Sequence, residues 1–155
     1  MTTIAADLEV EQINIKFKRL HPDAVIPKQA KYGDAGVDAR SVDTYVLEPG
    51  DTVLVHTGFA VEMPYDTVMQ VCSRSGLALN HSIIVLNAPG LVDAGYRGEI
   101  MVILHNASRK QFTVNPGDRI AQLMFQRYLV PVFVETNELS ASDRGAGGAG
   151  HTGIA

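Results

Sequence analysis

Cysteine is almost absent: Cys72 stands alone among 155 residues, so no intramolecular disulfide can form. With no Cys-x-x-Cys pair the usual structural zinc site is excluded too. That usage points to a reducing, cytoplasmic setting. Excess positive charge is also missing. Thirteen Lys and Arg against 17 Asp and Glu leave a net charge of -4, which argues against direct nucleic-acid binding or attachment to an anionic membrane. Any anionic ligand must be met by charges placed locally. No apolar run reaches the roughly 18 residues of a membrane span, and residues 1–10 lack the basic-then-apolar pattern of a secretory leader. No stretch sustains an apolar period of 3.6, so long amphipathic helices are not expected.

What is present is one domain's length, within the usual range of about 100 to 200 residues, broken by frequent turns. Fourteen Gly and 7 Pro separate short apolar runs, with Pro49-Gly50, Pro64-Tyr65, Pro89-Gly90 and Pro116-Gly117 as the clearest punctuation. From Ile13 the side chains alternate: Ile13, Ile15 and Phe17 on one face, Asn14, Lys16 and Lys18 on the other, the period of a half-buried strand. Spacing and composition predict further strands over 45–47, 52–56, 59–63, 67–72, 83–86, 99–105, 111–114, 119–128 and 132–135. One short helix is expected after Ser75, through Leu77, Ala78 and Leu79. About ten short strands imply an all-β sandwich or barrel. After Leu139 the pattern collapses into small and polar residues. Residues 1–136 therefore read as a β-barrel domain, with 1–11 as a candidate disordered arm, and 137–155 as a flexible glycine-rich tail.

The tail contains Gly145, Gly147 and Gly150 in the G-x-G-x-x-G pattern, but no strand-to-helix unit surrounds it and the chain stops five residues later, so a dinucleotide fold is rejected. Its exposed N–H groups, with Arg144 and Thr152, suit closure over phosphate oxygens. Four interior clusters carry further chemistry. Gly33-Asp34-Ala35-Gly36-Val37-Asp38 is either a plain Asp/Gly turn or a carboxylate pair meeting Mg²⁺ through water. Ser73-Arg74-Ser75-Gly76-Leu77-Ala78 places a guanidinium and a hydroxyl where a strand meets a helical turn, an arrangement for phosphate or a simple Ser75 N-cap. Asn87 to Glu99, with Asp93 and Tyr96 among three glycines after Pro89, is a hairpin or a pocket for a flat polar ring. Gly117-Asp118-Arg119-Ile120-Ala121-Gln122 opens a strand with an Asp-Arg pair and an amide, and on its own is a turn with a surface ion pair.

Taken in order and spacing, Asp34-Ala35-Gly36-Val37-Asp38, Arg74-Ser75-Gly76-Leu77-Ala78, Gly90-Leu91-Val92-Asp93-Ala94-Gly95-Tyr96-Arg97-Gly98, Gly117-Asp118-Arg119-Ile120-Ala121-Gln122 and the Arg144 tail closely resemble the five motifs of the homotrimeric dUTPase family. The resemblance implies a distorted, jelly-roll-like β-barrel and a homotrimer with active sites shared among subunits. It also implies hydrolysis of dUTP to dUMP and pyrophosphate, limiting uracil incorporation into DNA and supplying dUMP for thymidylate synthesis.

By the same resemblance Asp93 would activate the water that attacks the α-phosphorus, and Asp38 would orient waters of a Mg²⁺ carried by the triphosphate. Arg74, Ser75, Gly76 and Gln122 would bind phosphate oxygens. Asn87, with the backbone of Leu91, Val92, Asp93 and Met101, would read uracil, and Tyr96 would pack on the deoxyribose. Arg144 and Thr152 would cap the γ-phosphate from a neighbour's tail. Two positions depart from the family: Ala149, where an aromatic ring or His is usual, and His151, where Ser or Thr is. Ala149 cannot stack on uracil, and weaker closure is expected unless His151 substitutes. Two other functions stay open: a dCTP deaminase-like enzyme, which needs a Glu working in the base pocket, and a nucleotide-controlled protein-binding regulator. His21, His56, His81 and His105 have no ligand-like spacing, and Cys72 reads as packing.

Overall fold

The computed structural model describes residues 11–148. Its elements are β1 (Lys16–Arg19), β2 (Val37–Arg40), β3 (Tyr45–Leu47), β4 (Thr52–His56), β5 (Phe59–Glu62), β6 (Thr67–Cys72), α1 (Ser75–His81), β7 (Ile83–Val85), β8 (Gly90–Val92), β9 (Met101–Asn106), β10 (Phe112–Val114) and β11 (Arg119–Arg127). The all-β expectation holds. The strands form four sheets, ordered β1-β5, β10-β3, β2-β11-β6-β8 and β4-β9-β7, a jelly-roll-like arrangement not closed into one continuous barrel.

Alternation explains the core. Along β9, Val102, Leu104 and Asn106 are buried while Met101, Ile103 and His105 turn to the other face. The inward set joins Leu47, Val55, Phe59, Met69, Ile83, Ile100, Ile120 and Leu123 in one apolar cluster. Asn106 is the polar exception. Its amide donates to the carbonyls of Leu47 (2.9 Å) and Lys110 (2.8 Å) and accepts from the Ser108 N–H (2.9 Å) and hydroxyl (2.7 Å), so its burial leaves nothing unpaired. On the β1–β5 ribbon Lys16 faces Glu62 in register. The Lys16 ammonium, hydrogen-bonded at 2.7 Å, holds the Glu62 carboxyl below its ordinary range.

Three expectations are corrected. Pairing in β1 starts at Lys16 rather than Ile13, although the alternating burial does run from Ile13. Residues 132–135 form no strand: Val132, Phe133 and Val134 are exposed, and no strand of the chain pairs with them among the described residues. Conversely β2 and β8 are true strands inside segments whose Gly and Asp content read as turns. They are held by ladders to β11 and to β6, where tertiary pairing overrides local propensity.

Candidate active site

Met101 and Ile103 on β9 share one face with Leu54, which stands directly opposite Ile103 on β4. Together with Val71, Ile100 and the β8 segment they line a cleft of about 240 Å³. Six residues expected in the base and sugar site converge here: Asn87, Leu91, Val92, Asp93, Tyr96 and Met101. The segment carrying them is not a plain hairpin. β7 pairs with β9, whereas β8 crosses to the neighbouring sheet and pairs with β6, Val92 opposite Met69 and Gly90 opposite Val71. That crossing opens the cleft between two sheets. A Cβ at Gly90 would lie 2.9 Å from the Asn87 Nδ2, so glycine lets the Asn87 amide lie directly against β8.

Asp93 sits at the turn after β8 and is exposed. Its carbonyl accepts the Tyr96 N–H at 3.0 Å, while its carboxylate accepts no hydrogen bond from any described residue, leaving both oxygens open to solvent and ligand. Tyr96 donates its hydroxyl to the Glu99 carbonyl at 3.1 Å. Glu99 also lines the cleft, a residue the sequence did not single out. One of its carboxylate oxygens accepts the Gly58 N–H at 2.8 Å and the other meets the His56 Nδ1 at 2.9 Å. Glu99 thus ties the segment before β9 to β4 and the β4–β5 turn.

A second cluster lies on the β2-β11-β6 sheet. Gln122 stands opposite Asp38 on one side and Cys72 on the other, and opposite residues in antiparallel strands share a face. A bulge between Arg119 and Ala121 sets that register and re-aims the strand end. Asp38, half-buried, accepts from Arg74 Nε at 2.9 Å and Arg119 Nη1 at 3.2 Å. Arg74 further donates Nη1 to the Arg119 carbonyl at 3.0 Å. The expected Asp118–Arg119 pair does not form, because Asp118 accepts the Asn115 N–H at 2.8 Å in its own turn. Nor do Asp34 and Asp38 form a carboxylate pair, since Asp34 accepts the Lys31 N–H at 2.8 Å. Ser75 is not the N-cap either: Arg74 occupies that position, and no side chain caps the first turn of α1, leaving backbone N–H groups open beside Ser75 and Gly76.

Arg144 belongs to neither cluster. It is exposed and donates Nε to the Gly147 carbonyl at 2.9 Å within its own turn. Thr152, Ala149 and His151 lie outside the described residues. The histidines serve structure as expected: His105 Nδ1 meets the Thr52 hydroxyl at 3.0 Å, and His81 packs on Phe112 with ring centroids 5.1 Å apart.

The two clusters adjoin on β6, where Cys72 opposite Gln122 follows the cleft residue Val71, but Asp93 and Arg74 lie toward opposite ends of the strand. Met69 faces Val92, next to Asp93, whereas Arg74 follows the other end of the strand. Five residues of extended chain between them span about 16 Å.

Comparison with known proteins is consistent across sequence and structure. A family model described as dUTPase matches residues 23–153. The deoxyuridine 5'-triphosphate nucleotidohydrolase of Clostridium acetobutylicum is 46% identical over 142 residues, 92% of this chain and 98% of the relative. Its counterpart in Clostridioides difficile is 47% identical over 141 residues, 91% and 99% of the two chains. The Staphylococcus bacteriophage 80alpha dUTPase bound to dUpNHpp is similar in structure with a TM-score of 0.85 and 27% identity, covering 91% of this chain and 99% of that one. A mutant dUTPase from phage phi11 of S. aureus, reported with a structural Mg(II) ion, shares the fold at a TM-score of 0.77 and 24% identity, covering 83% and 99%.

Proposed function

The chain belongs to the dUTPase family and hydrolyses dUTP to dUMP and pyrophosphate; from that premise we propose that Asp93 is the base that activates water in a site assembled from several copies of the chain. One observation carries the assignment: Asp93 stands at the rim of the cleft with a carboxylate that no described residue hydrogen-bonds. A positioned base contributes roughly 10² to 10⁴-fold, about 3 to 5 kcal/mol of barrier. Uracil would be read by the Asn87 amide and the backbone of Leu91, Val92, Asp93 and Met101, polar groups on β8, on β9 and in the turns flanking β8. Tyr96 would pack on the deoxyribose. Arg74, Ser75, Gly76 and Gln122 would take phosphate oxygens, with Arg144 and Thr152 closing on the γ-phosphate from the tail, residues 137–155.

Exposed apolar surface beyond β11 supports the trimer. Asp93 follows Val92, opposite Met69, while Arg74 lies beyond Cys72 at the other end of β6, an arrangement that suits two halves joined across a subunit boundary. Leu129, Val130, Val132, Phe133 and Val134 stay exposed after β11, a larger run of apolar surface than an isolated chain normally leaves uncovered.

The donor set also fits Mg²⁺ in the expected way. Among the described residues no three His, Cys, Asp or Glu gather into a cage, which suits an ion carried in on the triphosphate with Asp38 holding its waters. When bound, the ion neutralises phosphate charge as the leaving pyrophosphate forms. A cytoplasmic location is in keeping with the lone cysteine and with no described helix being long and apolar enough to cross a membrane.

The test is Asp93→Asn, assayed for pyrophosphate release and for binding of a non-hydrolysable dUTP analogue. Binding retained with turnover reduced at least about 100-fold is expected; undiminished turnover removes Asp93 from the role.

A further inference from the structure

Gly98 lies two residues beyond Tyr96 in the loop leading to β9, and its backbone is not in the left-handed region. Glycine is therefore not demanded there by conformation. It is demanded by space. A Cβ on Gly98 would overlap the Tyr96 hydroxyl, lie 2.5 Å from Cζ and 3.0 Å from Cε2, all far inside van der Waals contact. The phenol thus rests directly on the Gly98 backbone, with its hydroxyl donating to the Glu99 carbonyl at 3.1 Å. The Glu99 side chain is itself tied to Gly58 and His56. Ring, glycine and tether form one unit at the wall of the cleft.

We propose that Gly98 is a specificity-determining residue: by lacking a side chain it fixes the Tyr96 ring at the one depth that admits a deoxyribose and excludes a ribose 2′-hydroxyl. Its effect is exerted through the ring and not by contact with the nucleotide. Any side chain at position 98 lifts the ring off the loop, because the tip of a tyrosine is the part free to move. The Glu99 bond is then lost and the sugar wall shifts. The inference rests on the reading of Tyr96 as the sugar-facing group.

Packing alone discriminates against an added hydroxyl by on the order of 10²-fold. For Gly98→Ala the ratio of kcat/KM for dUTP over UTP is expected to fall about tenfold or more, while a Gly that merely eased folding would lower stability and leave that ratio alone. The measurement is the ratio in four proteins: native, Gly98→Ala, Tyr96→Ala and the double variant, each checked for its folding midpoint. With no ring to displace, Gly98→Ala should change nothing further in the Tyr96→Ala background. An unchanged ratio in Gly98→Ala beside a relaxed one in Tyr96→Ala overturns the Gly98 role and leaves the Tyr96 reading intact. Equal losses from Gly98→Ala in both backgrounds overturn it as well. An unchanged ratio in Tyr96→Ala removes the sugar-wall reading and the inference together.

Discussion

Asp38 and Arg74, 36 residues apart in sequence, close a half-buried ion pair at 2.9 Å from Nε to Oδ1, with Arg119 on the second carboxylate oxygen. The resemblance gives these two residues different ligands, a hydrated metal and a phosphate. In the protein alone each satisfies the other. Under the proposed phosphate role of Arg74, a negatively charged triphosphate arriving there would compete with Asp38 for the guanidinium, linking phosphate binding to release of the Asp38 carboxylate. Arg119 stays to keep Asp38 in place.

Asp38→Asn keeps a carbonyl oxygen for Arg74 but removes the charge proposed to orient metal-bound water. Loss of such an outer partner typically costs 10 to 100-fold in metal affinity or activity. The Mg²⁺ concentration for half-maximal pyrophosphate release should rise at least about tenfold, with turnover partly recovered at saturating metal. An unmoved midpoint would take Asp38 out of the metal's surroundings.

If Asp93 and Arg74 serve one site from different subunits, two inactive variants should rescue each other. Asp93→Asn and Arg74→Gln are each expected to be nearly inactive alone. In randomly mixed trimers formed from equal amounts, about one site in four receives an intact Asp93 and an intact Arg74. Refolding or co-expression should therefore restore roughly a quarter of native activity. No recovery in verified mixed trimers would place both residues of a working site in the same chain.

What could be read from the sequence followed from two kinds of signal. Runs with plain alternation, such as Ile13 to Lys18 leading into β1, or with dense β-branched residues, such as Thr52–His56, declare themselves locally. β2 and β8 do not, because Val37-Asp38-Ala39-Arg40 and Gly90-Leu91-Val92 become strands only through their pairing with β11 and β6. The motifs likewise named Asn87, Asp93, Tyr96 and Met101 as cleft residues, while Ile103 escaped notice although it lies two positions beyond Met101 on the same strand face. The partners chosen by Arg119 and Glu99 were not legible at all. They depend on a bulge and on a turn more than 40 residues away in sequence. Val132–Glu135 shows the reverse error: its β-branched composition is genuine, but no described strand receives it.

That unreceived segment gives a direct test of assembly. Phe133 is 92% exposed, and a full burial of such a side chain contributes about 1.5 to 3 kcal/mol. Phe133→Asp should therefore weaken association by at least about tenfold per contact and shift sedimentation toward monomer at low micromolar concentration, with turnover falling in parallel. The strand signals of the monomer by circular dichroism should persist, since no described core contact involves Phe133. An unaltered trimer would show that the exposed run is not where subunits meet.

Stability and catalysis should separate at Asn106. The amide is fully buried and ties the Leu47 and Lys110 carbonyls to the end of β9 while bracing the Ser108 turn. Asn106→Ala would remove the amide donor to the buried Leu47 carbonyl and the acceptor of the Ser108 turn and leave a small void, each lost bond costing about 1 kcal/mol and an orphaned buried group somewhat more. A loss of about 2 to 4 kcal/mol is expected in denaturant unfolding at fixed protein concentration. Met101 stands at the opposite end of the same strand, five residues and about 16 Å away. The cleft should therefore keep its shape, with kcat and KM for dUTP within about twofold of native well below the unfolding midpoint. A large change in KM without loss of stability would mean that the far end of β9 reaches the base site through the strand, and that Asn106 positions Met101 instead of merely holding the core.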